Sequence, residues 1–282
     1  MSSPRMLLIA ALLATTAVAA CNRKEEGKAD APAPSGNALV TPADAAAPMT
    51  FERNTDYAKV SLTLPNVIKP QTDLHARLYA EEVRKLHQFV EGAASERLDS
   101  AEEGAPNWTY EKQINVTGAM ETGKLLSLKR TDFDFSGGAH PNTLTTGILS
   151  DKALKRRIGF TDLFRPGADL TVLDQALCSA INAAKRARVP DSVSLTLGGG
   201  GGDWSCPRAS ATEFVLTPGN APGKAAGLTF LIGPYTVGPY AEGAYEIAIP
   251  VSTFRSLLTV AYAEEFGGQL IKAGDVTPVA GG

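Results

Sequence analysis

The 282-residue sequence predicts an α+β fold carrying an antiparallel sheet. Two observations carry that prediction. Segments alternating apolar and polar residues come in blocks (around residues 57–64, 108–135 and 214–249), and two long stretches of helical period fall between the blocks. The strict strand–helix alternation of a parallel sheet is missing. A hydrophobic content of 44% and a charged content of 20% are those of an ordinary globular chain, which excludes a mainly disordered, collagen-like or multi-span membrane protein.

The elements follow in order. Tyr57 to Leu64 alternates (Tyr57, Val60, Leu62, Leu64) and stops at Pro65, as a strand does. Thr72 to about Glu96 carries Leu74, Leu78, Val83, Leu86, Phe89 and Val90 at helical spacing, and Gly92 and the stretch from Asp99 to Pro106 supply breakers. Trp108 to Val116 pairs with Leu125 to Phe135 across the turn Glu121-Thr122-Gly123-Lys124. Asn142 to Leu149 and Phe160 to Phe164 are short strand candidates. Leu170 to Arg188, with Leu173, Leu177, Ile181 and Ala184 on one side, is a helix that ends before Pro190. Phe214 to Leu216, Leu228 to Ile232 and Ala244 to Ile249 are strands, and Pro250 opens a helical stretch through Val260 to Phe266. Residues 267–282 read as a polar tail.

The start of the chain reads as an address. Arg5, the apolar run from Met6 to Leu13 and the small residues up to Ala20 form a secretory signal, too short to span a hydrocarbon core of about 30 Å. Val18-Ala19-Ala20-Cys21 resembles the cleavage site of a bacterial lipoprotein, in which Cys21 is lipidated and becomes the new N-terminus. Two acyl chains, at roughly 0.8 kcal/mol per buried methylene, are enough for stable anchoring. Asn22 stands where an aspartate would signal retention in the inner membrane, so the expected place is the envelope, periplasm-facing, on the outer membrane. Residues 21–49, rich in Ala, Pro and charge, have too little apolar surface to offset their ordering entropy and read as a flexible tether. The net charge of −3 offers no electrostatic footprint for nucleic acid.

Among the chemistry-bearing residues, Cys178 and Cys206 remain after lipidation. In an exported chain they are expected to form a disulfide, closing a loop of about 29 residues worth roughly 3–4 kcal/mol. The glycines at 198–202 are followed by Asp203-Trp204 and not by Gly-Lys-Ser/Thr, so they form a flexible loop and not a phosphate cradle. Asp132 and Asp134 share one strand face, and with His140 they would suit a metal or acid/base set; the plainer reading is a solvated acidic face. His75 and His87 lie on one predicted helix as surface or boundary residues, too far apart to share a metal ion. Ser136 and His140 lack a G-x-S-x-G elbow. The segment Ser136-Gly137-Gly138-Ala139-His140-Pro141 reads as a shaped loop displaying a histidine, with a plain hairpin connection as the alternative. Gly233 to Gly243 holds two Gly-Pro-Tyr units, rigid turns that suit a recognition surface, although Tyr235 could equally be core.

Taken together, several motifs match a family. They are Phe135-Ser136-Gly137-Gly138-Ala139-His140-Pro141, then Gly147, then Phe160-x-Asp162-Leu163-Phe164. Pro234-Tyr235-x-Val237-Gly238-Pro239-Tyr240-Ala241-x-Gly243 and Ile249-Pro250 follow. This set resembles the extracytoplasmic domain family shared by the anti-sigma factor RsiV and the accessory region of the peptidoglycan deacetylase PdaC (the DUF3298/DUF4163 type), over about residues 55–262. The resemblance implies a curved antiparallel β-sheet with packed helices, in two subdomains sharing a cleft. It also implies a domain that binds lysozyme as a protein ligand without chemistry. The deacetylase activity belongs to a separate catalytic domain with an Asp-Asp pair and a His-x3-His motif, neither of which occurs in this sequence. Sigma-factor regulation does not carry over to a lipid-anchored chain.

The expected organisation is therefore a lipoprotein signal peptide (1–20), a tether (21–49), an N-terminal α+β subdomain (50–136), an RsiV-like α+β subdomain (137–266) and the tail. The expected function is non-enzymatic binding of a muramidase such as lysozyme, or of a cell-wall glycan (a peptidoglycan fragment). Gly137, Gly138, His140, Pro141, Tyr235, Pro239, Tyr240 and Glu242 form the expected surface, with no cofactor and no metal. The alternative is a metal-dependent envelope hydrolase built on Asp132, Asp134 and His140.

Overall fold

Two sheets, each with one long helix, account for the apolar periodicities. The computed structural model describes residues 47–103, 108–198 and 203–278, which belong to one compact unit. The signal, Cys21 and the tether up to residue 46 lie outside them, as do residues 199–202 of the glycine loop.

The first sheet has six strands in the order β1 (Thr50–Asn54), β2 (Ala58–Thr63), β3 (Tyr110–Glu121), β4 (Leu125–Phe135), β5 (Asn142–Asp151) and β6 (Arg156–Arg157). Every neighbouring pair is antiparallel except β2 and β3. That pair is parallel because helix α1 (Thr72–Glu103) carries the chain back between them. Leu74, Leu78, Leu86 and Val90 of α1 are buried against Val60, Leu62, Ile114, Val116, Leu126 and Leu128. The helix continues through Gly92, where the sequence suggests a break: one glycine in a helix destabilises it by only about 1 kcal/mol, and Val90 and Ala93 are buried on either side.

The second sheet has the order β10 (Gly274–Asp275), β9 (Tyr245–Pro250), β8 (Gly227–Ile232), β7 (Glu213–Thr217), all antiparallel. Helix α2 (Thr171–Arg188) buries Leu173, Leu177, Ile181 and Ala184 in the same core as Phe230 and Ile247. Every residue of β8 is buried, which explains its unbroken apolar run. Phe160 to Leu163 is a turn of 3-10 helix, not a strand, and the stretch after Pro250 is two 3-10 turns followed by the four-residue helix α3 (Val260–Ala263). Residues 267–278 do not trail off as a polar tail: β10 pairs with β9, and Arg188 holds Asp275 at 3.0 Å.

The sheets meet where β7 lies over β4 and β5. Alternation along β4 sends Leu126 and Leu128 into the first core and Leu125 into the second. The Leu216 N–H donates to Ser127 Oγ at 3.0 Å, and the Gly147 N–H to Glu213 Oε2 at 2.9 Å. A β-carbon on Gly147 would stand 1.7 Å from the Phe214 carbonyl oxygen, so only glycine permits this approach. Tyr262 Oη donates to Asp151 at 2.9 Å, and Thr122 Oγ1 to Glu265 at 2.6 Å. Burial, with the Asp151 bond next, pushes the Tyr262 hydroxyl up to about 12. β5 and β6 remain hydrogen-bonded to the first sheet, so the change of sheet falls after Arg157, whereas the sequence reading divides the chain at 136. Cys178 and Cys206 form a disulfide with Cα atoms 5.3 Å apart, fastening α2 to the loop before β7.

Candidate functional site

The connection from β4 to β5 turns on Gly137 and Gly138, both at positive φ (87° and 92°). Trp108 lies against Gly137, where a β-carbon would approach its Cδ1 to 3.1 Å, and meets Phe135 edge to face at 5.7 Å. Beyond the glycines, His140 stacks on Tyr240 with ring centroids 3.8 Å apart and planes 16° from parallel. Tyr240 Oη donates to the Pro141 carbonyl at 2.7 Å. Tyr235, 55% exposed, tilts against Tyr240 at 5.5 Å. It holds φ +65°, a left-handed conformation that destabilises a non-glycine residue by roughly 1–2 kcal/mol. An outlier of this kind on an exposed aromatic side chain is the sort of local strain found at recognition sites.

His140, Pro141, Tyr235 and Tyr240 thus form one aromatic patch drawn from two loops, β4–β5 and β8–β9, with Gly137 and Gly138 shaping the first loop. Glu242 does not join it. Its side chain turns inward, with Oε2 2.6 Å from Lys185 Nζ and accepting from Tyr245 Oη at 2.8 Å. Lys185 Nζ also donates to the Val237 carbonyl at 2.7 Å. Burial acts to raise the Glu242 pKa, but the Lys185 and Tyr245 hydrogen bonds and the nearby cations outweigh it and leave it below 4.5. Burial, then the Glu242 bond, holds the Tyr245 hydroxyl far above its ordinary range. Gly238 makes room for this carboxylate: a β-carbon there would stand 2.4 Å from Glu242 Oε1. Pro239, with Glu242, lines a neighbouring cleft.

Sequence reasoning passed over Lys185 and Trp204, which line that cleft too. Lys185 carried a readable signal, since it follows Leu177 and Ile181 at helical spacing on the buried side of α2. Trp204 carried only its type, beside the glycine run.

The acidic face of β4 is not solvated. Arg130 reaches Glu82 of α1 at 2.8 Å and Asp132 at 3.0 Å, and Lys112 lies 2.9 Å from both Asp132 and Asp134. Burial acts to lower the Lys112 pKa, yet the two carboxylates reverse that and raise it. These aspartates are committed to cations, because the long helix α1 covers the strands that carry them. Among the described residues no three His, Cys, Asp or Glu side chains converge as metal ligands. His75 is buried rather than on the surface, its Nε2 3.1 Å from the Pro48 carbonyl, while His87 sits at the boundary beside Phe51 and Arg53.

With this geometry in view, the relatives fall into place. The family model described as deacetylase PdaC matches residues 51–143, most of the first sheet and its helix. The model described as a protein of unknown function, DUF3298, matches residues 161–252, the second sheet up to its β9 strand. A DUF3298 family member from Bacteroides fragilis NCTC 9343 is similar in fold, with a TM-score of 0.51 and 19% identity over 77% of this chain and 95% of that one. A DUF3298 family protein from Pseudomonas aeruginosa PAO1 has a TM-score of 0.52 and 15% identity over 80% of this chain and 100% of that one. Comparison with curated proteins finds no match. The two domain matches, side by side along the chain, support a PdaC/DUF3298-type domain protein, and the fold shared with the two solved structures agrees with them.

Proposed function

We propose that this protein is a non-enzymatic binding lipoprotein of the bacterial envelope, held by lipid on Cys21 and facing the periplasm from the outer membrane, whose aromatic patch docks a muramidase such as lysozyme. The observation that carries the reading is the His140–Tyr240 stack, supported on one side by Tyr235 and on the other by the Pro141 bond. Rigid, exposed aromatic rings give large contact area at small entropic cost, the usual composition of a protein-binding centre. The patch lies open at the surface, which suits a macromolecular partner better than a small one. The family resemblance, with a relative that takes lysozyme as its ligand, supports the same partner. The hydrolase alternative is less favoured, since Asp132 and Asp134 are occupied by Lys112 and Arg130.

The test is a calorimetric titration of the purified protein with lysozyme, repeated for His140→Ala and Tyr240→Ala. Saturable binding that weakens about tenfold or more in each folded variant, about 1.4 kcal/mol, is the expected result. Absent heat with the unaltered protein, or unchanged affinity in both variants, would sink the reading.

A further inference from the structure

The cleft beside the disulfide-closed loop has a chemistry of its own. It encloses about 400 Å³, within the range of small-ligand sites. Its apolar wall is made by Val189, Leu195, Pro239 and Trp204. Along one side run Ser192, Ser194 and Thr196, a row of hydroxyl-bearing residues of which Ser194 and Thr196 are exposed. At its floor stand Lys185 and Glu242, whose side chains are 5% and 11% exposed.

That set selects among ligand classes. The Lys185 ammonium is spent on Glu242 and on the Val237 carbonyl, so it offers little to an anion. The Glu242 carboxylate is offset by Lys185 at 2.6 Å, and the other acid of the lining, Asp203, is exposed to water, so a cation finds no unbalanced buried charge. A purely apolar ligand would strip water from the row of hydroxyls without replacing its hydrogen bonds. What remains is a neutral ligand with hydroxyls around its edge and a C–H face to lay on an indole, whose negative ring face attracts polarised C–H groups. Glu242 Oε1, which accepts no hydrogen bond from a described residue, can take one such hydroxyl, and the serine and threonine hydroxyls can both give and accept others.

We propose that this cleft is a saccharide-binding site in which Trp204 stacks on a sugar ring while Glu242, Ser192, Ser194 and Thr196 bond its hydroxyls. It is separate from the aromatic patch and stands or falls without it. The hydroxyl-bearing segment is tied to α2 by Asn182, which bonds both the N–H and the carbonyl of Leu195, and by the Cys206 N–H donating to the Thr196 carbonyl at 2.9 Å while the disulfide pins Cys206 to α2.

The chain has two tryptophans, so Trp108→Phe leaves Trp204 as the sole indole reporter. The probe is chitotetraose, a neutral four-ring saccharide, with n-butylammonium and inorganic phosphate as a cationic and an anionic comparison. The expected result is a saturable change in Trp204 emission with chitotetraose alone. By calorimetry on the otherwise unaltered full chain, Trp204→Ala should weaken binding at least about tenfold and Ser194→Val a few fold. Unchanged melting temperatures identify both variants as folded. No emission change up to about 10 mM saccharide, a change with n-butylammonium or phosphate in its place, or undiminished binding by folded Trp204→Ala would each overturn the proposal. Lysozyme is absent from these titrations, so their failure is distinct from failure of the patch.

Discussion

Replacing Gly147 with alanine should loosen the junction between the two sheets. The new methyl group would lie 1.7 Å from the Phe214 carbonyl oxygen and 2.8 Å from its carbon. Carbon contacts relax near 3.5–4.0 Å, so β7 would have to withdraw by roughly 2 Å, and no side-chain rotation can substitute for moving backbone. Overpacking of this kind costs about 1–3 kcal/mol. The same withdrawal stretches the Gly147 to Glu213 bond (2.9 Å) and the buried Leu216 to Ser127 bond (3.0 Å). Leaving a buried donor without its acceptor adds about 1–3 kcal/mol, for a total of about 2–6 kcal/mol. In urea, with a slope of about 2–3 kcal/mol/M, the midpoint should fall by about 1–3 M. Gly118→Ala is the internal comparison: there the nearest atom is the end of the Val67 side chain at 3.1 Å, which can give way, and the expected loss is below about 1 kcal/mol. If Gly147→Ala unfolded within 1 kcal/mol of the unaltered protein, the argument that this glycine seats β7 would be wrong.

Gly92→Ala should stabilise by about 0.5–1 kcal/mol, because an added methyl meets nothing within 4 Å inside a long helix; a lower melting temperature would contradict this. Lys185→Met leaves the Glu242 carboxylate with Tyr245 as its side-chain donor and its other oxygen open to the cleft, and should cost about 1–3 kcal/mol, read from the urea midpoint, with little change if the pair is dispensable. The folded-state pKa of Glu242 lies below its ordinary 4.5, so its contribution is complete above that value and is lost as pH falls through the lowered one. Stability measured from neutral pH downward should therefore drop less steeply in Glu242→Gln than in the unaltered protein, and parallel curves would exclude the carboxylate as a cause. Joint replacement of Cys178 and Cys206 by alanine, opening a loop with a sequence separation of 28, should lower stability by about 3–4 kcal/mol in non-reducing buffer.

Much of the fold was legible because its signals are local. The stripe of α2 can be read within a few residues of itself and stands in the structure on the face the sequence implies; β4 forms where its sequence places it, but its acidic face meets cations under α1 and not solvent. β1 escaped notice because Thr50–Asn54 is a largely exposed edge strand without alternation. β10 escaped because two residues, one of them glycine, carry no strand pattern; their place is set by Arg188, far away in sequence. The parallel pairing of β2 with β3 depends on where α1 returns the chain, which no window of sequence contains. The same holds at the sites. The two loops of the patch were legible as glycine- and proline-shaped displays, but their stacking was not. Glu242 reads as a surface acid until its partner on α2 is known, and Asp132 and Asp134 read as solvated until Arg130 and Lys112 are set beside them.

The hydrogen bond from Tyr240 to Pro141 joins residues 99 positions apart, one on the loop of each sheet. The patch is therefore a discontinuous epitope: neither loop, cut out as a peptide, would present it. Any partner that grips both loops also staples one lobe to the other, so occupancy and resistance to unfolding become thermodynamically linked. At a hundredfold excess over its dissociation constant, such a partner would add about 2.7 kcal/mol to the stability of the whole unit. Conversely, a substitution at the distant Gly147 seam that lets the sheets drift apart would weaken recognition without touching a single contact residue.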